Sequence, residues 1–204
     1  IDDQYASQYE TIKQAINDIA PGGVKFLINT HWHSDHTGGN EQMANSGAII
    51  VAHENVRQRL RTDQVIEFFN ADRPASPATA WPIITFTEDI KFHFNDNEID
   101  VFHVRDAHTD GDAVVHFTNA NVIHTGDIFF HGLYPFIDSG SGGSISGMIA
   151  AVERILALCD ENTRVIPGHG DLTDKHGLEE YRNMLKSVQN SIADLIVAGS
   201  TSEQ

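Results

Sequence analysis

The stretch Thr30-His31-Trp32-His33-Ser34-Asp35-His36-Thr37-Gly38-Gly39 constrains this chain more than any other, and the apolar run Val24-Lys25-Phe26-Leu27-Ile28 leads straight into it. Imidazole nitrogens and a carboxylate crowd together there, and these are donors that a borderline cation such as Zn²⁺ accepts. Residues i and i+2 of an extended loop project to the same side. His31 and His33 can therefore grip one ion, while Asp35 and His36, further round the turn, reach a second. The two glycines suit a loop bending into a helix. The bland alternative is a polar loop that happens to be rich in histidine. Clustering of His with Asp weighs against it, because such clusters mark metal or catalytic sites.

The pattern around this stretch alternates strands and helices. Tyr5 to Ala20 reads as a helix, with Tyr9, Ile12, Ile16 and Ile19 at helical spacing, ended by Pro21-Gly22-Gly23. Val24 to Asn29 is a buried strand, Asn40 to Asn45 a helix, Ala48 to Ala52 a second buried strand, and His53 to Leu60 a helix. Strand, helix, strand in that order implies a parallel pair with a crossover. Asp63 to Trp81 is less regular and punctuated by proline, and an irregular segment of that length either covers a site or runs over the surface. Ile83–Thr87, Ile90–Phe94, Ile99–Val104, Ala113–Phe117 and Asn121–Thr125 are β-rich, with a hairpin turn at Asn95-Asp96-Asn97. Ser144 to Cys159 keeps one apolar face as a helix, which makes Cys159 a packing residue. Arg164 to Ile166 is a last strand. A closing helix over Asp174 to Ala198 turns Leu178, Tyr181, Leu185, Val188, Ile192 and Leu195 inward. Two sheets packed face to face, with helices outside, fit this order.

Composition narrows the choice of partners. Acidic residues outnumber basic ones 29 to 13, for a net charge of −16. A field of that sign repels phosphate backbones, and the densest basic group, Arg57, Arg59 and Arg61, reads as the solvated face of a helix. Nucleic acid is excluded as a partner on that ground. No apolar run approaches the ~18 residues that span a bilayer, so no membrane role is expected. The single Cys159 excludes a disulfide framework and a cysteine-based zinc ribbon. At 204 residues the chain fits a single domain over 1–204 with ample core. Oligomeric state is not legible. A periplasmic or secreted location is expected over a cytoplasmic one.

Three later segments repeat the grammar of the first, a strand followed by a loop that opens with a donor. They are His103-Val104 leading to Ala107-His108-Thr109-Asp110-Gly111-Asp112, His124 leading to Thr125-Gly126-Asp127, and Val165-Ile166 leading to Pro167-Gly168-His169-Gly170. Gly and Pro let the backbone turn sharply and approach an ion. Each is weak alone; behind the opening cluster they are strong together.

The set HxHxDH (His31, His33, Asp35, His36), then His108, Asp127 in TGD and His169 in PGHG resembles the metallo-β-lactamase superfamily over essentially the whole chain. The resemblance implies an α/β fold of four layers, the αββα sandwich, with a two-metal site at the sheet edges. His31, His33 and His108 would hold one metal, and Asp35, His36 and His169 the other, with Asp127 on the second metal and able to bridge both. Family members carry strands ahead of the position of Ile1, so the fold is expected to begin before this stretch. Asp127 stands where the lactamases with a cysteine ligand carry Cys, and Phe130 where they carry a substrate-gripping Lys. The run from Asp127 to Gly143 looks like a branch near those lactamases, grouped with quinoprotein-associated metallohydrolases.

The implied activity is that of a dinuclear metal-dependent hydrolase on a small-molecule substrate. A hydroxide made available by the metal pair attacks an ester, thioester, lactone or amide carbonyl, and Asp35 orients it as the catalytic carboxylate. Two Zn²⁺ ions per chain are expected, and an all-N/O donor set also admits Fe or Mn. Trp32, His131, Tyr134 and Phe136 are candidate substrate contacts. A working β-lactamase is the narrower alternative, disfavoured by Phe130. A non-catalytic metal-binding partner in cofactor metabolism is the other, disfavoured by the complete donor set.

Overall fold

The computed structural model describes residues 1–199. Its elements in chain order are α1 (Tyr9–Ile19), β1 (Phe26–Ile28), α2 (Ser34–Thr37), α3 (Asn40–Asn45), β2 (Ile49–His53), α4 (Glu54–Leu60), β3 (Gln64–Ile66) and β4 (Ala71–Arg73). There follow β5 (Ile84–Phe86), β6 (Asp89–Phe94), β7 (Asn97–His103), β8 (Ala113–Phe117), β9 (Val122–His124), α5 (Ile145–Leu156), β10 (Arg164–Ile166), β11 (Thr173–Asp174) and α6 (Lys175–Val197).

β1, β2 and β5 form a parallel sheet in the order β1-β2-β5, with Leu27 opposite Ile50 and Ala52 opposite Thr85. A larger sheet runs β11-β10-β9-β8-β7-β6, antiparallel except for the β9–β10 pair. Side chains alternate across each strand, and the alternation sorts them into layers. Ile28 and Val51 of the first sheet meet Val101, Ala113 and Val115 of the second in the centre. Their neighbours Leu27 and Ile50 point the other way, onto Tyr9 of α1 and Met43 of α3. Phe102, Val114, Ile123 and Val165 point out of the second sheet onto Met148, Val152 and Ile155 of α5 and Leu178, Tyr181 and Leu185 of α6. The result is helix, sheet, sheet, helix.

Two expectations need correcting. Asp63 to Trp81 is not simply irregular: β3 and β4 pair antiparallel as a hairpin, Gln64 opposite Arg73, and its tip carries Phe68 and Phe69, 79% and 59% exposed. Val65 and Ile66 favour extended backbone, and the prolines all fall after the second strand. Second, α6 has the expected length but not the expected packing. Leu178, Tyr181 and Leu185 are buried, whereas Ile192 and Leu195 are exposed. The apolar stripe runs past the end of the sheet it packs on, and nothing among the described residues covers its last turns. Cys159 is half-buried against the α5–α6 core, where burial pushes its thiol pKa up to about 11.

Candidate metal centre

The donors gather at one edge of the sandwich because each follows the end of a strand. β1 delivers Thr30 to His36, the β7–β8 loop carries His108, β9 ends three residues before Asp127, and β10 three before His169. The Ala113 N–H donates to the Thr30 carbonyl (2.8 Å) and stitches the two sheets at this edge. Two glycines permit the close approach. Gly126 has a left-handed backbone (φ 54°) against Thr30, and a Cβ on Gly168 would overlap the Asp127 carboxylate.

His31, His33, His108 and Asp127 each place a donor atom within 4.8 Å of the others, and Asp35, His36 and His169 form a second such group. In the first, the His33 Nδ1 lies 3.1 Å from His31 Nε2 and 3.0 Å from His108 Nε2. In the second, Asp35 Oδ2 is 3.4 Å from both His36 Nε2 and His169 Nε2. Ligands on a tetrahedral zinc at about 2.0–2.1 Å stand roughly 3.3 Å apart, so both spacings suit an ion. Asp127 lies between the groups. Its Oδ2 is 3.8 Å from His31, 3.6 Å from His108 and 3.2 Å from His169, and its Oδ1 is 3.2 Å from His36. The grouping thus puts Asp127 with the first trio while leaving it in reach of the second, a position from which one carboxylate can bridge.

Two buried atoms test the fit. His36 Nε2 and Asp127 Oδ1 make no hydrogen bond of acceptable geometry although both are shut off from solvent. Such orphans are costly, and a cation at that point satisfies both. Burial lowers the pKa of His31, and holds that of His108 down to about 4, so both stay neutral with a lone pair free. Burial works the same way on His36, but the Asp2, Asp127 and Asp35 carboxylates outweigh it and raise that group. His169, with the Asp127 and Asp35 carboxylates 3.2 and 3.4 Å from its Nε2, is pushed up to about 9. Asp127 and Asp35 lie below the usual carboxylate range despite burial, because those imidazoles face them.

Behind the donors stand carboxylates that the sequence did not single out. Asp2 Oδ2 accepts from His36 Nδ1 (2.8 Å) and from the Thr30 hydroxyl (2.8 Å), and Oδ1 from the Thr30 N–H (2.8 Å). Asp138 Oδ2 lies 3.0 Å from His33 Nε2. Asp112 accepts from the backbone N–H groups of His108 (2.6 Å) and Thr109 (2.8 Å) and from the Thr109 hydroxyl (2.5 Å). Asp112 and Asp138 sat in runs already noted, but nothing in their spacing marked them; Asp2 had no signal.

Of the candidate substrate contacts, Phe136 and Trp32 both meet the His33 ring, Trp32 edge-on with centroids 4.7 Å apart. The Phe136 ring stacks on His33 (centroids 5.9 Å) and meets Phe68 and Phe69 of the hairpin at 5.6 and 4.9 Å. Trp32 is 3% exposed and packs with Ala52, Val56, Leu60 and Ile66, on the core side of the loop. His131 hydrogen-bonds the Asp171 carbonyl, and Tyr134 is largely solvent-exposed. Phe130 stacks on His169 (15°, 5.1 Å).

A family model described as the metallo-β-lactamase superfamily matches residues 5–199. A hydroxyacylglutathione hydrolase of Pelagibacter ubique (strain HTCC1062) is 26% identical over 151 residues, 72% of this chain and 52% of that protein. The chain therefore spans about half the length of that relative. An uncharacterized protein of Aquifex aeolicus (strain VF5) is 26% identical over 167 residues, 82% and 76% of the two chains. Among solved structures, a metallo-β-lactamase from Pontibacter korlensis superposes with a TM-score of 0.72 at 20% identity, covering 90% of this chain and 80% of that one. The DIM-1 metallo-β-lactamase gives 0.70 at 19% identity, covering 92% and 80%. These structures share the fold. The family match spans nearly every described residue and the HxHxDH donors meet where four strands end: the chain belongs to the metallo-β-lactamase superfamily.

Proposed function

We propose that this chain works as a single-domain, metal-dependent hydrolase that holds two divalent cations, zinc first among them, and cleaves an ester, thioester, lactone or amide of a small molecule. One observation carries the reading: seven N and O donors from four distant segments converge in two groups that share Asp127. His31, His33 and His108 would hold one ion, Asp35, His36 and His169 the other, and Asp127 would face both. When bound, the cations supply a Lewis acid for the carbonyl oxygen and lower the pKa of a water from 15.7 towards ~7.

The chain's own residues do the rest. Asp35, 23% exposed against 5% for Asp127, has a carboxylate at the mouth of the site that can accept a hydrogen bond from the attacking water and aim it. Only two carboxylates, Asp35 and Asp127, belong to the donor set, so two divalent cations keep excess positive charge for the developing oxyanion. Phe136, Phe68 and Phe69 wall one side and keep water from the acyl group. The Pelagibacter relative, named for acting on a hydroxyacylglutathione, supports an acyl carbonyl as the target.

Elemental analysis of the purified protein, paired with turnover on ester, thioester, lactone and cephalosporin substrates, tests this. Two equivalents of metal with acyl hydrolysis are expected. Background rates across the panel from fully loaded protein would sink the hydrolase reading. Turnover of the cephalosporin alone would replace it with a β-lactamase.

A further inference from the structure

His33 differs from the other two histidines of its group. His31 and His108 turn Nε2 towards the shared centre, whereas His33 turns Nδ1. Its Nε2 points away, to Asp138 Oδ2 at 3.0 Å, and Asp138 is 2% exposed. We propose that Asp138 is a positioning residue for the first metal, its carboxylate holding the His33 ring so that Nδ1 presents its lone pair to the ion. This rests on the metal-centre reading given above.

The physical reason is the cost of the alternative. A buried carboxylate facing a nitrogen without a proton is left unsatisfied. Asp138 therefore keeps the proton on Nε2, and the neutral ring has its only lone pair on Nδ1. A carboxylate behind a ligating imidazole also raises the basicity of that ligand.

Asp138 is itself held in place. Its Oδ1 accepts from the Ser141 N–H (3.2 Å), its N–H donates to the His108 carbonyl (3.0 Å), and its carbonyl accepts from the Gly143 N–H (2.9 Å). The same strand of backbone serves His108: Phe136, two residues earlier, accepts from His108 Nδ1 through its carbonyl at 2.8 Å. One short segment, Phe136 to Asp138, thus holds the outward nitrogens of two histidines that lie 75 positions apart. It does so directly beneath the aromatic hairpin tip.

Asp138→Asn separates positioning from loop structure, because the amide oxygen can still cap Ser141 while the charge is lost. Zinc affinity is measured by competition with a chromophoric chelator, the melting of the zinc-free protein by circular dichroism, and the ring nitrogens by ¹⁵N NMR of the zinc-loaded protein. The wild type is expected to show one histidine bound through Nδ1 with a slowly exchanging Nε2 proton. Asp138→Asn is expected to weaken the tighter zinc site about 10- to 100-fold, speed exchange of that proton, and leave zinc-free melting unchanged. Asp138→Ala should match it in zinc affinity while also lowering the melting temperature. Wild-type affinity with a still-protected Nε2 proton in Asp138→Asn would overturn the assignment. A wild type that binds no zinc or other divalent cation would instead remove the metal-centre reading on which it stands.

Discussion

At the scale of single residues, four of the donor histidines are steered by a partner on the ring's far side: His31 by the Thr30 hydroxyl, His33 by Asp138, His36 by Asp2 and His108 by the Phe136 carbonyl. Asp127 has the most neighbours, with His31, His36, His108 and His169 all within 3.8 Å of its two oxygens. Replacing it with alanine removes the one group common to both donor sets. Asp127→Ala should lose at least one equivalent of metal and cut kcat by roughly 10²-fold or more, read by elemental analysis and steady-state kinetics. Two retained metals with full turnover would contradict its shared role. Asp2 acts through another residue, orienting His36 from behind. Asp2→Ala leaves His36 Nδ1 and the Thr30 N–H without their acceptor. It should weaken the second metal site about 10- to 100-fold while the first keeps its affinity, a split that a two-site metal titration resolves.

At the scale of elements, strand ends bring the donors together, with Asp35 and His36 on the one-turn α2 that follows β1, while the longer helices brace the sheets. α6 shows where that bracing stops. Its first half fills the core through Leu178, Tyr181 and Leu185, and its second half carries Ile192 and Leu195 into solvent. Truncating a buried leucine costs about 2–5 kcal/mol, whereas an exposed one changes stability by about 0.5 kcal/mol at most. Leu185→Ala should therefore fall in the first range and Leu195→Ala in the second, as measured by denaturant unfolding. Equal losses would mean that the end of α6 is packed after all. The β3–β4 hairpin is the other informative element. Its tip is apolar and solvent-exposed, yet leans on Phe136 rather than on the core, which puts an aromatic wall beside the metal centre.

For the whole molecule, the donor cluster is a place where folding and metal binding are linked. His31, His36, His108 and Asp127 are all shut from water, and two of their polar atoms lack partners. A ligand that binds only the folded state at 1,000 times its Kd adds about 4.1 kcal/mol. In a chain of this size each kcal/mol moves the midpoint by about 2–4 °C. Stripping the metal with a chelator should lower Tm by on the order of 10 °C and abolish turnover, both restored by added zinc. A chelator-insensitive melt would mean that the cluster is satisfied without an ion. The net charge of −16 belongs to this scale too. It disfavours polyanionic partners without bearing on the local chemistry of the donor cluster.

How much of this was readable in advance divides by the range of the interaction. Short runs of apolar, β-favouring residues marked Ala48–Ala52 and Ala113–Phe117 as strands, against Ile49–His53 and Ala113–Phe117 in the structure, and the His and Asp that follow strand ends were visible as donors, because both are properties of neighbouring positions. Helical periodicity also showed which side of α6 is apolar. It could not show where the packing ends, since a stripe says nothing about what lies opposite. Nor could it mark Asp2 behind His36, or Asp138 behind His33 at 105 positions' separation. Such pairs exist only once the two sheets have closed and brought their edges together. The amino-acid order determined which groups can bind a cation; only the tertiary structure decided which nitrogen of His33, His36 and His108 turns inward, because that choice belongs to the partner on the ring's other side.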